Sequence, residues 1–305
     1  TMFKKPVAVA LTFVFALVGL TTGQAQAKSS FPVTITNAGD TFTITRKPTK
    51  IISLSPTATE SLFAIGAGAQ VVAVDDQSTY PKSAPQTSLS GYSPNLEAIV
   101  AYHPDLVIVC YDAGNIVSSL RGLGIHVLVQ DAATGINDTY SQILQLGKVT
   151  GNSITAARIV TRMKQEIRST VAAITARGSG LSFYHELDNT YYSVTSDTFI
   201  GALYKMTGLT NIADAVPDTN YGYPQLSAEY IIAKNPSLIF LADHMYSGET
   251  LATVKARPGF GSLSAVKNRR VFMLNDDVAS RWGPRTPLLL KSILFAIRKV
   301  RMNAN

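Results

Sequence analysis

Cysteine is almost missing from this 305-residue chain, where Cys110 is the only one. An intrachain disulfide is therefore excluded, and so is a cysteine-rich zinc module, which needs several thiolates together. Charge is sparse, at 15% of residues, and tryptophan occurs once, at Trp282. Lys and Arg number 27 against 20 Asp and Glu, so the chain is basic. That excess is scattered: the densest groups, Arg269-Arg270 and Arg298 to Arg301, have no interleaved aromatics. A nucleic-acid partner is not expected from such a distribution. Also missing are a Gly-x-Ser-x-Gly elbow, a His-Glu-x-x-His pair and a phosphate-binding loop. Their absence removes the familiar hydrolase and nucleotide signatures. The four histidines are too few and too dispersed to promise a bare-metal site, which wants three or four converging ligands.

The uncharged apolar stretch from Val7 to Leu20 is shorter than the roughly 20 residues that cross a bilayer. Lys4 and Lys5 precede it, and Ala25-Gln26-Ala27 follows with the small residues of a cleavage site. Residues 1–27 read as a secretory signal, so a periplasmic or secreted protein is expected. No cysteine stands near the cleavage site, and a lipid anchor is not expected. About 278 residues remain, enough for two lobes of ordinary domain size.

Past the signal, residues 28–47 alternate in strand fashion around Asn37-Ala38-Gly39-Asp40, which predicts an opening hairpin. Residues 48–150 read as a first lobe. Its predicted strands are Lys50 to Leu54, Val71 to Val74, Leu106 to Cys110 and Val127 to Val129. Thr57-Ala58-Thr59-Glu60 fits a capping box opening a helix that Gly66 stops. Strands and helices alternating with short connections imply a parallel α/β sheet. Residues 151–178 differ, with no internal Gly or Pro between Ser153 and Arg177 and apolar residues at three-and-four spacing. A 25-residue helix there would be about 37 Å long, the size of a whole lobe, and reads as a spine. Residues 179–305 resume the alternation as a second lobe. Strands are predicted over Leu181 to Leu187, Tyr191 to Thr195, Leu238 to Ala242 and Val271 to Leu274, and helices over Ser196 to Thr207 and Pro287 to Val300.

Two segments echo one another across the spine. Gly91-Tyr92-Ser93-Pro94-Asn95-Leu96-Glu97 passes from glycine and tyrosine through a helix start to a glutamate in the first turn. Tyr221-Gly222-Tyr223-Pro224-Gln225-Leu226-Ser227-Ala228-Glu229 does the same in the second half. Two half-molecules of one style, each with an aromatic loop and a glutamate, point to a two-lobed binder rather than an enzyme.

Four pieces carry a resemblance to a known family: Ile51-Ile52-Ser53-Leu54-Ser55-Pro56-Thr57-Ala58-Thr59-Glu60; Thr79-Tyr80-Pro81; Asn95-Leu96-Glu97 with Pro104-Asp105-Leu106-Val107-Ile108; and Arg281-Trp282-Gly283-Pro284-Arg285. In order and spacing they resemble the bacterial substrate-binding proteins that feed ABC importers of cobalamin and iron–siderophore complexes. The resemblance implies two parallel-sheet lobes joined by one long helix, with a large chelate held between them by loops at the carboxyl ends of the strands. It implies a monomer that docks on a membrane permease dimer through Glu97 and Glu229. It also puts Tyr92 and Tyr223 where cobalamin-binding relatives place tryptophans that flank the corrin. In haem-binding relatives a tyrosine in a similar Gly-Tyr loop ligates iron, but Met-Arg usually follows it, and here Ser93-Pro94 does. A cobalt corrinoid is the first expectation for the ligand, a ferric siderophore the second, haem the third.

The expected ligand contacts follow strands. Ser55, Gln77, Tyr80, Tyr92 and Tyr111 belong to the first lobe; His185, Tyr223, His244, Asp277, Arg281 and Trp282 belong to the second. Aromatic rings suit a large flat ligand because they bury much area at low entropic cost. An arginine such as Arg281 offers a two-pronged clamp for a carboxylate. The alternative from a different class is a secreted siderophore esterase, built on His185, Asp188 and a nearby serine; nothing in their spacing favours it.

Overall fold

The computed structural model describes residues 30–178, 180–217 and 220–302; the secretory signal expected over 1–27 lies outside them. A hairpin of β1 (Val33–Asn37) and β2 (Asp40–Ile44) opens the described chain, its strands antiparallel. The first lobe then contains β3 (Ile51–Leu54), α1 (Pro56–Ala64), β4 (Val71–Val74), α2 (Leu96–Val100), β5 (Leu106–Val109), α3 (Ile116–Gly122), β6 (His126–Val129) and α4 (Ile136–Thr150). Its sheet runs β4-β3-β5-β6, every pairing parallel. β3 and β5 are buried along their whole length, as strands covered on both faces must be, and they read as unbroken apolar runs for that reason.

The long helix α5 (Ser153–Gly178) comes next, at 26 residues and about 39 Å. The second lobe follows with β7 (Ser182–Glu186), α6 (Phe199–Lys205), β8 (Thr210–Asn211), α7 (Ala228–Lys234), β9 (Leu238–Leu241), α8 (His244–Ser247), α9 (Leu251–Ala256), α10 (Ser264–Lys267), β10 (Val271–Met273), α11 (Asp276–Ser280) and α12 (Thr286–Met302). Its sheet is also parallel, in the order β10-β9-β7-β8. Two parallel four-stranded sheets and a long helix are the architecture the alternation predicted. No helix among the described residues is long and apolar enough to cross a membrane.

Val160, Met163, Ile167 and Ile174 form the buried stripe of α5, in one continuous core with residues of both sheets. α4 and α12 pack along it. α12 is the helix predicted over Pro287 to Val300; α4 is not legible in the sequence because glycines sit at its cap, Gly135, and inside it, Gly147. Gly147 is there for proximity. A Cβ at that position would meet the Ala156 Cβ of α5 at 2.4 Å and the Ser153 Cα at 3.2 Å.

Three local expectations need correction. The cap of α1 is Ser55, whose hydroxyl accepts from Ala58 N at 3.3 Å with Pro56 at the first helical position. Glu60 therefore belongs to no capping box. Tyr191 to Thr195 is not a strand: it makes an isolated bridge, Tyr192 to Gln225, with Ser193 and Thr195 donating to Pro224 and Gly222. The helix predicted from Ser196 starts at Phe199, with Thr198 as its cap.

Gly147→Val should destabilise the protein by at least about 2 kcal/mol, because overpacking at a helix–helix contact forces the backbones apart. Thermal or urea unfolding measures this; unchanged stability would mean that α4 does not depend on close approach to α5.

Candidate ligand-binding site

The cleft lies where the carboxyl ends of strands from both lobes meet. Its lining comes from Leu54 to Thr57 after β3, Asp75 and Gln77 after β4, Gly91 and Tyr92, and Cys110 and Tyr111 after β5. The second lobe adds Tyr246 from α8 and Asp277, Ser280, Arg281 and Trp282 in and after α11. The enclosed volume is about 300 Å³, the lower end of the range for small-molecule sites.

Tyr92 and Tyr111 face each other with ring centroids 6.3 Å apart, and both are exposed, Tyr92 by 74%. Gly91 makes this possible. A Cβ there would meet the Leu54 carbonyl oxygen at 2.6 Å and an Asp75 carboxyl oxygen at 3.1 Å, so only glycine lets the tyrosine loop lie on the end of β3. Tyr246, also exposed, donates its hydroxyl to Asp277 at 2.8 Å. Trp282 is half-buried against the core and gives its indole N–H to Gln142 Oε1 at 3.0 Å.

Beneath the rings lies a buried charge network. Glu60, 3% exposed, accepts from Arg281 at 2.9 Å and from the Arg285 Nε at 2.8 Å. Arg281 also reaches Asp277 at 2.9 Å, the Gln77 carbonyl at 3.1 Å and the Thr79 hydroxyl at 3.2 Å. Two carboxylates and two guanidiniums thus join the lobes with no charge left over. Asp75, buried beside them, accepts from the Ser78 hydroxyl. Its burial pushes its carboxyl up to about 6, with Asp76 adding to the rise and Ser78 and Arg281 opposing it. The Cys110 thiol is pushed up to about 11, mainly by burial and also by Asp131, and stays protonated at neutral pH. Among the described residues, no group of three or more His, Cys, Asp or Glu is arranged to hold a metal ion.

Of the expected contacts, Ser55, Gln77, Tyr92, Tyr111, Asp277, Arg281 and Trp282 line this cleft. Four others stand elsewhere. His185 is wholly buried inside β7, its Nδ1 2.9 Å from the Tyr204 hydroxyl, and burial lowers its pKa to about 3. It cannot reach a ligand or serve a catalytic triad. Tyr80 lies under the Arg285 guanidinium, 4.0 Å from ring centre to carbon, in a separate hollow. Tyr223 belongs to the loop pinned to Ser193 and Thr195, outside the cleft lining. His244 opens α8, where its Nδ1 lies 2.8 Å from the Glu249 carbonyl oxygen. Sequence reasoning missed Tyr246, which comes after β9 as Tyr111 comes after β5, and Asp75, which directly follows β4.

Glu97 and Glu229 occupy equivalent places. Each is exposed at the second position of a helix, α2 or α7, behind a side-chain cap: Asn95 accepts from Ala98 N, and Ser227 from Tyr230 N. Each helix then leads into an interior strand of its sheet, β5 or β9.

Two lobes of matching design with a cleft between their strand ends define a class of two-lobed binding protein. The pattern described as "Periplasmic binding protein" matches residues 51–278, and the chain belongs to that family. An uncharacterized ABC transporter substrate-binding lipoprotein of Bacillus subtilis is 30% identical over 270 residues, covering 85% of this chain and 83% of its own. A cobalamin-binding protein of Halobacterium salinarum is 31% identical over 263 residues, covering 84% and 69%. A solved structure of a possible iron-binding (periplasmic solute-binding) protein from Staphylococcus epidermidis superposes with a TM-score of 0.70 at 27% identity, covering 83% of this chain and 99% of that one.

Asp75 makes stability pH-dependent. Its folded pKa, about 6, lies above the ordinary value of 3.8, so its protonated form favours folding below the ordinary value and that contribution is lost as pH rises through 6. Asp75→Asn should therefore be more stable than the parent at pH 8, by no more than about 3 kcal/mol, with the gap closing below pH 4. Urea unfolding at the two pH values checks this; a gap independent of pH would refute the assignment.

Proposed function

We propose that this protein is the extracytoplasmic receptor of an ABC importer, capturing a large metal chelate, a corrinoid in the first place, between its lobes. The cleft is the observation that carries the reading. Its walls come from both lobes, it exposes Tyr92, Tyr111 and Tyr246 beside Trp282, and its one arginine is held in ion pairs with Glu60 and Asp277. Among the described residues, Asp75 and Asp277 are the only carboxylates in the lining and Arg281 the only cation, already bound to Glu60. Such a surface favours a large ring system of little net charge over a strongly anionic chelate, because no free cation is left to neutralise one. A ferric siderophore is the second reading. It is favoured by tyrosine standing at Tyr92, where the cobalamin-binding pattern expects tryptophan; haem ranks third. At about 300 Å³ the enclosed space seats part of such a ligand, and the tyrosines at the rim flank the rest.

Delivery is assigned to Glu97 and Glu229. Crossover helices run antiparallel to the strands they join, so the amino ends of α2 and α7 lie at the carboxyl ends of the strands. That is the end where the cleft opens. Both carboxylates are exposed and fixed to capped helices, as a docking contact with permease arginines requires. The receptor acts as a monomer on a permease dimer and carries no resident cofactor in this reading.

Titration of the apo protein with cyanocobalamin, ferric siderophores and haemin, followed by absorbance and Trp282 fluorescence, tests the ligand. Saturable binding of cyanocobalamin at sub-micromolar concentration with quenching is expected; binding only of a ferric chelate would reassign the specificity. Reversal of both docking residues, Glu97→Arg with Glu229→Arg, should abolish import into cells while changing affinity less than about twofold. Import at the parental rate by that double variant would end the docking assignment.

A further inference from the structure

Sheet edges expose backbone groups that seek a partner, and proteins cover them. Among the described residues, three of the four edges here are blunted. In the first lobe, β4 is flanked by Pro85 to Thr87: Val74 N donates to Pro85 O at 3.0 Å, and Thr87 N donates to Val74 O at 3.1 Å. β6 is sealed by side chains. Asn37 accepts from Val129 N and donates to Val129 O, both at 2.8 Å, while Arg121 donates to Val127 O. In the second lobe, β8 is only two residues long.

β10 is different. Ile239 N donates to Arg270 O and Leu274 N donates to Leu241 O, so Arg270, Phe272 and Leu274 turn their backbone groups toward β9. By alternation, Val271 and Met273 turn theirs outward. β9 is the only strand that pairs with β10 among the described residues. Beside this edge runs a groove of about 710 Å³ between β10 and α12. Met273, Leu288 and Phe295 line it while 51%, 45% and 55% exposed, an unusual concentration of apolar surface. Its charged lining is Arg269, Lys291 and Lys299, with no carboxylate. Lys291 meets Glu166 of the spine; Arg269 and Lys299 have no ion-pair partner among the described residues.

We infer that β10 is a docking edge for an acidic, extended segment of a partner polypeptide, which adds to the second sheet as a fifth strand. Backbone pairing at Val271 and Met273 supplies the register, the apolar wall accepts alternate side chains, and the cations select carboxylates between them. A second copy of this chain is a poor occupant, because edge-to-edge pairing would bring the two sets of cations together. The cleft takes no part.

Hydrogen–deuterium exchange of the full chain with a capped heptapeptide alternating Val and Glu tests the inference, with a Val/Lys heptapeptide as control. The Val/Glu peptide should slow exchange of the Val271 and Met273 amides about tenfold or more at saturation, and the control should not. Met273→Pro removes one outward donor at an edge position that tolerates proline and should abolish the protection. In case that variant misfolds, Arg269→Glu with Lys299→Glu leaves the backbone untouched and should exchange the preference for the Val/Lys peptide. Protection by neither peptide would overturn the proposal, and so would equal protection by both. Peptide-independent protection that grows with protein concentration would also overturn it, assigning the edge to a second copy.

Discussion

Everything in this molecule that concerns a ligand rests on one buried carboxylate. Glu60 of α1 receives two guanidiniums from a loop 221 and 225 residues further along the chain. Burying a carboxylate is unfavourable unless it is paired and fully hydrogen-bonded; here Arg281 and Arg285 satisfy it, and Asp277 balances the second positive charge. The arrangement is brittle. Without Glu60 two partly buried arginines would face the single carboxylate of Asp277, leaving one positive charge uncompensated, a loss of about 3–5 kcal/mol for such a site. The contacts of Arg281 with Gln77 and Thr79 would lose their anchor too. Because those contacts span the lobes, the network fixes both the stability of the pair and the shape of the cleft above it.

This network also explains which parts of the molecule could be read in the sequence. The sheets were legible because each central strand, such as Ile51–Leu54 or Leu238–Leu241, is buried on both faces and written as continuous apolar residues. The spine was legible because Val160, Met163, Ile167 and Ile174 keep helical spacing within a 26-residue stretch. Local pattern carries no information about a partner two hundred residues away. Glu60 was therefore read as half of a capping box, and Arg281 as a free clamp for ligand, when each is largely occupied by the other. Histidine at a strand end posed a similar ambiguity. In β7, buried from Phe183 to Glu186, alternation does not reveal the direction of a side chain, and His185 turns to Tyr204 instead of the cleft.

The cleft's character comes from this division of labour. The charged groups are locked below, and the exposed surface is left to tyrosines, which combine an apolar ring with a polar tip at little conformational cost. Tyr92 stands directly on the floor of the site because Gly91 permits contact with the end of β3. Asp75, whose carboxyl is raised to about 6 mainly by burial, changes charge within the mildly acidic range. A receptor built this way recognises shape and polarisable surface more than charge, which suits a macrocyclic ligand better than a highly anionic one.

The two tyrosine loops have a further property that follows from their place in the chain. Tyr92 is followed by the cap Asn95 and then by Glu97; Tyr223 is followed by the cap Ser227 and then by Glu229. Only a few residues, including a proline in each case, separate the rings from the glutamates assigned to docking. Proline fixes one backbone dihedral and shortens the list of conformations such a link can adopt. The long helix behind the lobes is stiff, and the buried ion network resists wide separation of the lobes. Large closure is therefore not the natural way to communicate with a permease. In the proposed docking, force or displacement applied at Glu97 and Glu229 would reach the tyrosine loops through these short constrained links before it reached the spine. On this reading Tyr92 can loosen its hold on the ligand through movement of its own loop, while the Glu60 network keeps the floor of the cleft in place.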